Sequence, residues 1–523
     1  MKEQTISIIG GGASAVAFIH NILTEIANRK DHAGLTIYMI ERARHFGRGL
    51  AYDLDQHSNL LNTKAGFITP FSDKPGHFYE WLCANRNIWE DDYPNAHLYN
   101  ENSFVPRSLF GLYLEHMVSD LVRRALAIGC HVIPVQAEAT SITSSHDGGV
   151  IIKTKDNLTF LSDYAVLSLG NLPSREYQEL GSHPGFFSSP YPLYKLVRKI
   201  PTDASVGVIG ARLSAIDTVL GLISSGHRGP IALHSRSGFL PCVRGAQGRY
   251  QPKVITLDRM KSHVARFGTL SLQVFVNWII DEMVHAGVDV TKFDWINPLP
   301  PKDILGFLKG EIAASDHPRA WQAVLYATNS VIDYVWDHTS EADRKFFWRY
   351  LSAWMAYRVS IPPENAKRML SAMQSGQLTF VPGGMNITKT DSGFAVAVDH
   401  DGTTKTHNYK AIISAIGTPR DATQFDSLLI DDLLARGMAR PHPYGGLEIE
   451  ATTGRLRDQN GQPHNRIFAL GELTSGTFFF TSVLEINARH ARERAKLLAD
   501  MTSQRFASEQ QSEPMRVQQS VAN

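Results

Sequence analysis

A glycine-rich turn near the start of the chain constrains the fold more than any other feature of the sequence. The run Thr5–Ile9 predicts a short buried strand, and the turn Gly10–Ala15 follows it directly. Apolar residues then recur at helical spacing to about Glu25, and a second predicted strand, Leu35–Ile40, ends at the acid Glu41. This order of strand, glycine turn, helix, strand and acid is typical of a dinucleotide-binding unit. The carboxylate of Glu41 can accept both hydroxyls of an adenosine ribose.

The residues of this turn suit a bound pyrophosphate. Gly10 permits the tight turn, Gly12 lets the backbone approach the phosphates, and Ala15, in the third glycine position, lets the helix pack against the strand. Ala13 and Ser14 lie at the helix N-terminus, whose unpaired N–H groups and positive dipole end attract phosphate. A plain structural turn is the alternative interpretation.

Composition and charge describe an ordinary globular chain of 523 residues, long enough for two or three domains. Its 52 basic and 51 acidic residues nearly balance, which argues against a nucleic-acid partner or an anionic membrane surface. No run approaches the ~18 apolar residues of a membrane span, and the N-terminus leads into the first strand without a signal peptide. Cys83, Cys130 and Cys242 form no C-x-x-C pair, so we expect three buried thiols in a reducing cytoplasm and neither a dithiol centre nor a metal site.

The same pattern restarts further along the chain. Ala204–Ile209 predicts a strand, Gly210 opens a second turn, and the strand Pro230–His234 leads to Arg236. This arginine stands where the first unit has its acid, and a guanidinium there suits the 2′-phosphate of NADPH. The second unit is therefore predicted to bind NADPH rather than NADH, with Ser214 in the first turn of its helix.

One residue of the second unit departs from the pattern. Arg212 replaces the second glycine, so that a side chain stands where a pyrophosphate normally touches backbone. Either this arginine turns outward and pairs with phosphate, or the second site binds nicotinamide weakly or not at all.

Other segments are candidates to complete a long cofactor site. The Gly47–Tyr52 loop could lie along a cofactor with Arg48 near the pyrophosphate, and Asn62 could lie near a flavin ring, although a flexible surface loop is equally compatible with the residues. A buried strand that ends at Gly170 is a common closing element of flavin domains, and a late strand ends in a final glycine turn at Gly471. The remaining candidate cofactor residues are Leu50, Arg107, Ala139, Glu472 and Ser482, and Thr481 or Ser482 is the predicted cap of the last helix.

Together these stretches resemble the bacterial FAD/NAD(P)-binding protein family, and more distantly the flavin monooxygenases with two dinucleotide-binding domains. The matching stretches are Gly10–Ala15, Gly47–Tyr52 with Leu61-Asn62, Val105–Arg107 with Gly111–Leu114, Gly210–Asp217, Ser235–Pro241 and Ile467–Glu472. The resemblance implies FAD in the first unit and NADPH in the second. Two residues depart from the family pattern: Arg212 replaces a glycine, and Glu472 stands where related flavoproteins often carry aspartate.

We therefore expect an α/β fold with two Rossmann-like dinucleotide-binding domains and a helical insertion. Trp348, Trp354, Tyr357 and Arg358 of this insertion either pack in its core or partly line a substrate pocket. The expected divisions are the first part of the FAD-binding domain over 1–200, the NAD(P)-binding unit over 201–253, the helical insertion over 254–378, the rest of the FAD-binding domain over 379–502 and a disordered tail over 503–523.

Three functional hypotheses follow. In the first, NADPH reduces FAD, molecular oxygen forms a C4a-hydroperoxyflavin, and this species oxygenates a small molecule, amine N-hydroxylation being favoured. In the second, the protein is a flavin reductase or dehydrogenase without oxygen transfer. In the third, Arg212 marks a degenerate nicotinamide site in a non-catalytic flavoprotein. No catalytic residue is assigned, and a homo-oligomer is possible.

Overall fold

The computed structural model describes residues 4–29, 34–292 and 298–520. In chain order its strands are β1 (Gln4–Ile9), β2 (Leu35–Glu41), β3 (His131–Gln136), β4 (Ala139–Ser144), β5 (Val150–Thr154), β6 (Thr159–Ser162), β7 (Tyr164–Leu167), β8 (Phe186–Phe187), β9 (Val206–Ile209), β10 (Ile231–Ser235), β11 (Leu378–Pro382), β12 (Gly384–Thr390), β13 (Gly393–His400), β14 (Thr403–Tyr409), β15 (Ala411–Ser414), β16 (Arg455–Arg457) and β17 (Pro463–Ala469).

Its helices surround and connect these strands. They are α1 (Ala13–Ala27), α2 (His77–Ala84), α3 (Arg86–Trp89), α4 (Arg107–Ala127), α5 (Leu193–Leu196), α6 (Leu213–Ser224), α7 (Leu257–Phe267), α8 (Leu272–His285), α9 (Ile304–Ser315), α10 (Ala320–Ala327), α11 (Ile332–Asp337), α12 (Glu341–Trp348), α13 (Leu351–Arg358), α14 (Pro363–Gln374), α15 (Leu428–Ala435), α16 (Ser475–Phe478) and α17 (Leu484–Ser520).

The first sheet has six strands in the order β16-β17-β7-β1-β2-β3. Its strands are parallel except for β16, which runs antiparallel to β17. The strands β1 and β7 are largely buried, because α1 and α4 cover one face of the sheet and the antiparallel strands β4 to β6 pack against the other. Helix α1 is buried along most of its length between this sheet, α4 and α17, so both ends of the chain contribute to one core.

The second sheet has five parallel strands in the order β11-β10-β9-β15-β8. The expected two-domain α/β fold is therefore confirmed. Three strands of this sheet, β8, β11 and β15, lie outside 201–253, the range expected for the NAD(P)-binding unit. The order of the strands in the sequence does not reveal these pairs, because parallel pairing joins strands that are far apart in the chain.

Helices α7 to α14 separate β10 from β11 and form the expected helical insertion. One break between neighbouring helices of this insertion has a local cause. Between α10 and α11, Thr328 Oγ1 donates to the Leu325 carbonyl at 2.6 Å and Ser330 Oγ donates to the Ala327 carbonyl at 2.9 Å. Such hydroxyl bonds compete with the helical ladder, which accounts for the break.

Three smaller expectations from the sequence are corrected. Cys83 is exposed, whereas Cys130 and Cys242 are buried as expected. Neither Thr481 nor Ser482 caps α17, because the helix begins at Leu484 and Thr481 Oγ1 donates instead to Glu472 Oε2 at 3.1 Å. The helix backbone also continues through 503–520, where the composition predicts a disordered tail; residues 521–523 of that tail lie outside the described part of the chain.

The length and hydropathy of the helices were compared with those of a membrane span. Of the helices described over 4–29, 34–292 and 298–520, none is both long enough and apolar enough to cross a lipid bilayer.

Candidate functional site

The first glycine turn forms a tight junction between two strands and a helix. Gly10 has φ +103°, and a Cβ added to it would lie 2.1 Å from the Ser168 carbonyl oxygen just beyond β7. Only glycine adopts this conformation without strain in so little space. Gly12 precedes α1, and a Cβ on it would lie 3.5 Å from the Cα of Gly49. The backbone of the Gly47–Tyr52 loop therefore passes directly over the start of α1.

The predicted ribose ligand, Glu41, is held at the mouth of this turn. Its Oε2 accepts from the Gly11 N–H at 2.7 Å and its Oε1 accepts from the Ala43 N–H at 2.8 Å. Each carboxylate oxygen keeps a second lone pair. Glu41 is half-buried, so it can still accept ribose hydroxyls in the orientation that these two bonds fix.

The structure brings the other predicted closing residues to the same edge of the first sheet. A Cβ added to Gly471, after β17, would lie 3.5 Å from Ser14 Oγ in the first turn of α1. Gly170, after β7, is exposed. Ala139 begins β4, two residues after the Ala137 N–H that donates to the Glu41 carbonyl at 2.9 Å. These are the carboxyl ends of parallel strands, where open α/β sheets bind their ligands.

Arg48 is more constrained than the sequence suggests. It is buried, and its Nε and Nη2 lie 2.7 and 2.6 Å from Glu115 Oε2. Burial raises the pKa of Glu115, but hydrogen bonding from His45 and the charge of Arg48 outweigh it, and the net direction is downward. Only Nη1 of Arg48 lacks a partner among the described residues. Leu50 is exposed and Asn62 is half-buried.

Arg107 joins the two units to each other. Its Nη2 lies 2.9 Å from Asp217 Oδ2 in α6, its Nη1 lies 3.4 Å from the Tyr191 hydroxyl, and its Nε donates to the Leu60 carbonyl at 3.1 Å. Burial lowers the pKa of Arg107, but the Asp217 carboxylate reverses that effect and raises it overall. Ser214, also predicted as a cofactor ligand, hydrogen-bonds the same Tyr191 side chain.

The second glycine turn opens into a cavity of about 200 Å³. Gly210 has φ +120°, and a Cβ on it would lie 2.7 Å from the Ala415 carbonyl oxygen after β15. The cavity is lined by the turn, the end of β10, the end of β15 and the insertion: Ile209, Gly210, Ala211, Arg212, His234, Ser235, Arg236, Ser237, Phe239, Pro241, Ser352, Ala356, Met385, Ala415 and Ile416. Arg212 lines this cavity from the N-cap position of α6.

The cavity is positively charged. Arg236 is well exposed, and its Nη1 lies 3.9 Å from Glu176 Oε1, so most of its donors are free. Desolvation in the cleft, with repulsion from Arg420 and Arg236, lowers the pKa of Arg212 to about 10, and the group stays charged at neutral pH. Burial also lowers the pKa of Arg420, against the opposing charge of Glu472.

The charge of Arg420 acts on both dinucleotide-binding units, on Arg212 of the second and on Glu472 of the first, and sequence reasoning missed this residue. Its Nη1 donates to the Tyr444 carbonyl at 3.2 Å, and its guanidinium lies 4.8 Å from the Trp348 ring centroid. Burial raises the pKa of Glu472, and Arg420 and the Thr481 hydroxyl act in the opposite direction. The only local signal was position: Arg420 lies shortly after β15, at the carboxyl end of a parallel strand.

The helical insertion covers the cavity. Ser352 and Ala356 of α13 line it, whereas Trp348 packs against Arg420 and Tyr444 and is not among the lining residues. Trp354 and Tyr357 are half-buried in the aromatic core of the insertion. Arg358 is 2% exposed, so it packs inside the protein and does not line the open cavity.

Comparison with known proteins agrees with this architecture. Residues 7–172 match the family model described as FAD-NAD(P)-binding, which confirms an FAD/NAD(P)-binding domain where the first glycine turn lies. No curated protein matches the chain by sequence.

Three solved structures share the fold across nearly the whole chain. L-lysine 6-monooxygenase from Pseudomonas syringae is 15% identical over 95% of this chain and 99% of its own, with a TM-score of 0.58. The reduced form of ornithine hydroxylase from Pseudomonas aeruginosa is 16% identical over 95% and 99%, with a TM-score of 0.55. The ornithine N-hydroxylase of Kutzneria sp. 744 is 14% identical over 97% and 100%, with a TM-score of 0.54.

Proposed function

Because residues 7–172 match the family model described as FAD-NAD(P)-binding, we propose that the chain is an FAD-dependent, NADPH-using monooxygenase that oxygenates a small molecule, with amine N-hydroxylation the favoured reaction. The observation that carries the proposal is the arginine-lined cavity of about 200 Å³ at the second glycine turn. A flavoprotein that takes electrons from no nicotinamide has no use for such a cavity beside a second dinucleotide turn.

The residues of the first unit fit FAD. Gly12 and Gly49 bring two stretches of backbone without side chains together at the N-terminus of α1, which suits a pyrophosphate. Glu41 is oriented for the adenosine ribose, and Ser14 and Gly471 lie at the same helix end. Bound FAD would supply the hydride-accepting and oxygen-activating chemistry that no amino-acid side chain offers.

The residues of the second unit fit NADPH. Arg236, at the end of β10, is free to pair with a 2′-phosphate, and Arg212 offers a guanidinium where the missing glycine would have offered backbone. We infer that Arg212 binds the pyrophosphate by its side chain. Arg420 stands between the two units and adds positive charge where the cofactors would meet.

Oxygen transfer is favoured over a plain reductase by two considerations. The structures similar over nearly the full chain at a TM-score above 0.5 include an ornithine hydroxylase, an ornithine N-hydroxylase and a lysine monooxygenase. The insertion helix α13 also walls the cavity with Ser352 and Ala356, which helps to exclude water from the reacting groups. In balance, substrate, O₂, NADPH and a proton give hydroxylated substrate, NADP⁺ and water.

Rapid mixing of the FAD-loaded protein with NADPH tests the proposal. Without oxygen, NADPH should bleach the flavin absorbance; oxygen should then restore it, and with a substrate present one hydroxylated product should form per NADPH consumed. Bleaching followed only by hydrogen peroxide or by transfer to another acceptor would identify a reductase or dehydrogenase. No bleaching with NADPH or NADH would identify a non-catalytic flavoprotein.

A further inference from the structure

Three buried cations lie beside the first dinucleotide-binding unit, outside the cavity described above. Lys64, Arg244 and Arg358 are 4%, 7% and 2% exposed. The guanidinium carbons of Arg244 and Arg358 lie 3.6 and 4.2 Å from the centroid of the same ring, that of Tyr326. Desolvation and the charge of Arg244 both lower the pKa of Lys64, and the same two causes lower the pKa of Arg358, so Arg244 acts on both of the other cations.

None of these three cations forms an ion pair with a residue that the structure describes. Lys64 Nζ donates to the Asn102 side-chain oxygen at 3.4 Å and to the carbonyls of Ala246 and Gln247, each at 3.2 Å. Arg358 donates to the Asn329 side-chain oxygen, and the Nε of both arginines has no hydrogen-bond partner in the described chain.

The nearest acids stay at the margin of the cluster. Glu485 is exposed and accepts from Asn329 Nδ2 at 3.1 Å rather than from Arg358, and Glu101, which acts on Lys64, is exposed as well. Buried charges of one sign without partners are costly. Contact with the Tyr326 ring offsets only part of that cost.

The position of the cluster connects it with the proposed reaction. Lys64 follows Asn62 in the loop expected near the flavin ring, and Arg358 lies 5.1 Å from the ring centroid of Phe480, in the segment after Gly471 and Glu472. The cluster therefore lies where this loop, the helical insertion and the approach to α17 meet.

We propose that Lys64, Arg244 and Arg358 bind a doubly negative oxyanion group of the small-molecule substrate, a dicarboxylate or a phosphate monoester. A single carboxylate would leave two of the three buried charges uncompensated, whereas a dianion leaves only one and suits the paired N–H donors of guanidinium groups. The role of the bound molecule as substrate rests on the proposed function; the binding of the anion does not.

Thermal unfolding of the FAD-loaded protein tests the site without any turnover. Malonate and inorganic phosphate are titrated separately against acetate and chloride at equal ionic strength. We expect malonate or phosphate to raise the unfolding temperature by roughly 2 °C or more at saturation, with acetate and chloride giving less than half of that shift. The stronger of the two dianions then distinguishes a dicarboxylate from a phosphate ester as the natural group. Equal shifts with all four anions would overturn the proposal.

Variants locate the binding. Arg244→Met and Lys64→Met should abolish the dianion shift, whereas Arg249→Met, an exposed arginine on the same segment, should retain it. The double variant Arg212→Ala/Arg236→Ala should also retain it; loss of the shift in that variant with retention in Arg244→Met would assign the anion to the dinucleotide cavity and refute the proposal.

The unfolding temperatures of these variants, measured without added anion, separate anion binding from a structural role of the cluster. Removing one of three mutually repelling buried cations should leave the unfolding temperature unchanged or higher. A fall of several degrees in both Arg244→Met and Lys64→Met, with the dianion shift intact in whichever variant folds, would show that the cluster is structural. NADPH bleaching of the flavin, measured separately, shows whether the proposed function itself has failed.

Discussion

Arg212 shows how one residue can change the meaning of a motif. In the first unit, Gly12 places no side chain at the N-cap position of α1, whereas in the second unit Arg212 occupies the equivalent position of α6. Its side chain lines the cavity and shares it with Arg236. The sequence left open whether this substitution destroys the site; the arrangement of the arginines favours a site that binds phosphate by charge.

Replacing Arg236 by alanine tests this interpretation. We expect the dissociation constant of NADPH to rise by about 10- to 100-fold, since a charge-assisted pair with the 2′-phosphate is lost, while that of NADH changes little. Fluorescence titration of the FAD-loaded protein measures both constants. Arg228→Ala, an exposed arginine in the turn before β10, is the matched control and should bind both nucleotides as the parent does. An unchanged preference for NADPH in Arg236→Ala would remove the assignment.

His234 predicts a specific loss of stability in acid. It is fully buried at the end of β10 with Nε2 3.0 Å from the Tyr409 hydroxyl. Burial, reinforced by His407, lowers its pKa from 6.5 to about 4. Between these values the unfolded chain binds a proton that the folded protein does not, so the free energy of unfolding falls as the pH falls from 6.5 to 4. The upper limit of this loss is about 3 kcal/mol.

Urea unfolding at pH 7, 5.5 and 4.5 measures this effect. His234→Gln should show a shallower decline than the parent over that window, because the group that titrates differently in the two states is absent. His146→Gln, in an exposed turn, should follow the parent profile. Parallel profiles for the parent and His234→Gln would contradict the prediction.

At the scale of elements, one carboxylate fixes the entry to the helical insertion. Glu282 of α8 is fully buried and accepts from the backbone N–H groups of Lys253, Val254 and Ile255, at 2.6 to 3.0 Å, and from the Tyr250 hydroxyl at 2.7 Å. Burial raises the pKa of Glu282, but these donors outweigh it and the net direction is downward. The segment before α7 is thereby held against α8 without secondary structure of its own.

Glu282→Gln should therefore destabilise the protein by about 2 to 4 kcal/mol, because an amide offers one acceptor oxygen where the carboxylate offered two, and its NH₂ group faces other donors. Differential scanning calorimetry checks the loss. Asp281→Asn is the matched control: the neighbouring acid is exposed, and its change should be within about 0.5 kcal/mol. Equal stability of both variants would show that the backbone donors find other acceptors.

What could be predicted from the sequence follows the range of the interactions. Gly10 and Gly210 were found because their turns depend on residues next to them in the chain. Pairing of β11 and β15 in the second sheet was missed, since each lies far along the chain from β9 and β10. For the same reason Arg420, Ser352 and Ala356 carried no local signal, and Arg107 was read as a cofactor ligand before its contact with Asp217 was visible.

At the scale of the whole molecule, the contact between Arg107 and Asp217 is the polar link that ties α4 of the first unit to α6 of the second. Arg107→Gln leaves the Asp217 carboxylate buried without its countercharge, which should cost about 3 to 5 kcal/mol in the free energy of unfolding. Arg107→Gln should also slow flavin reduction by NADPH, because the two dinucleotide-binding units lose a fixed relative orientation. Denaturant unfolding and anaerobic rapid mixing provide the two measurements.

A double-mutant cycle separates this role from the cofactor role expected from the sequence. Asp217→Asn on its own also breaks the pair, but combined with Arg107→Gln it removes both charges and should recover much of the lost stability. A direct FAD ligand would behave differently: Arg107→Gln would weaken FAD binding, and Asp217→Asn would not restore it.

The strand order of the first sheet has a consequence for how the chain is made. Strand β7 lies between β1 and β17, and β17 begins at Pro463, near the end of the polypeptide. During synthesis the ribosome must therefore produce most of the second unit and the whole insertion while one side of β7 still presents unpaired amide and carbonyl groups. Any premature stop codon before Pro463 leaves that side permanently open, and the resulting fragment should be found in inclusion bodies.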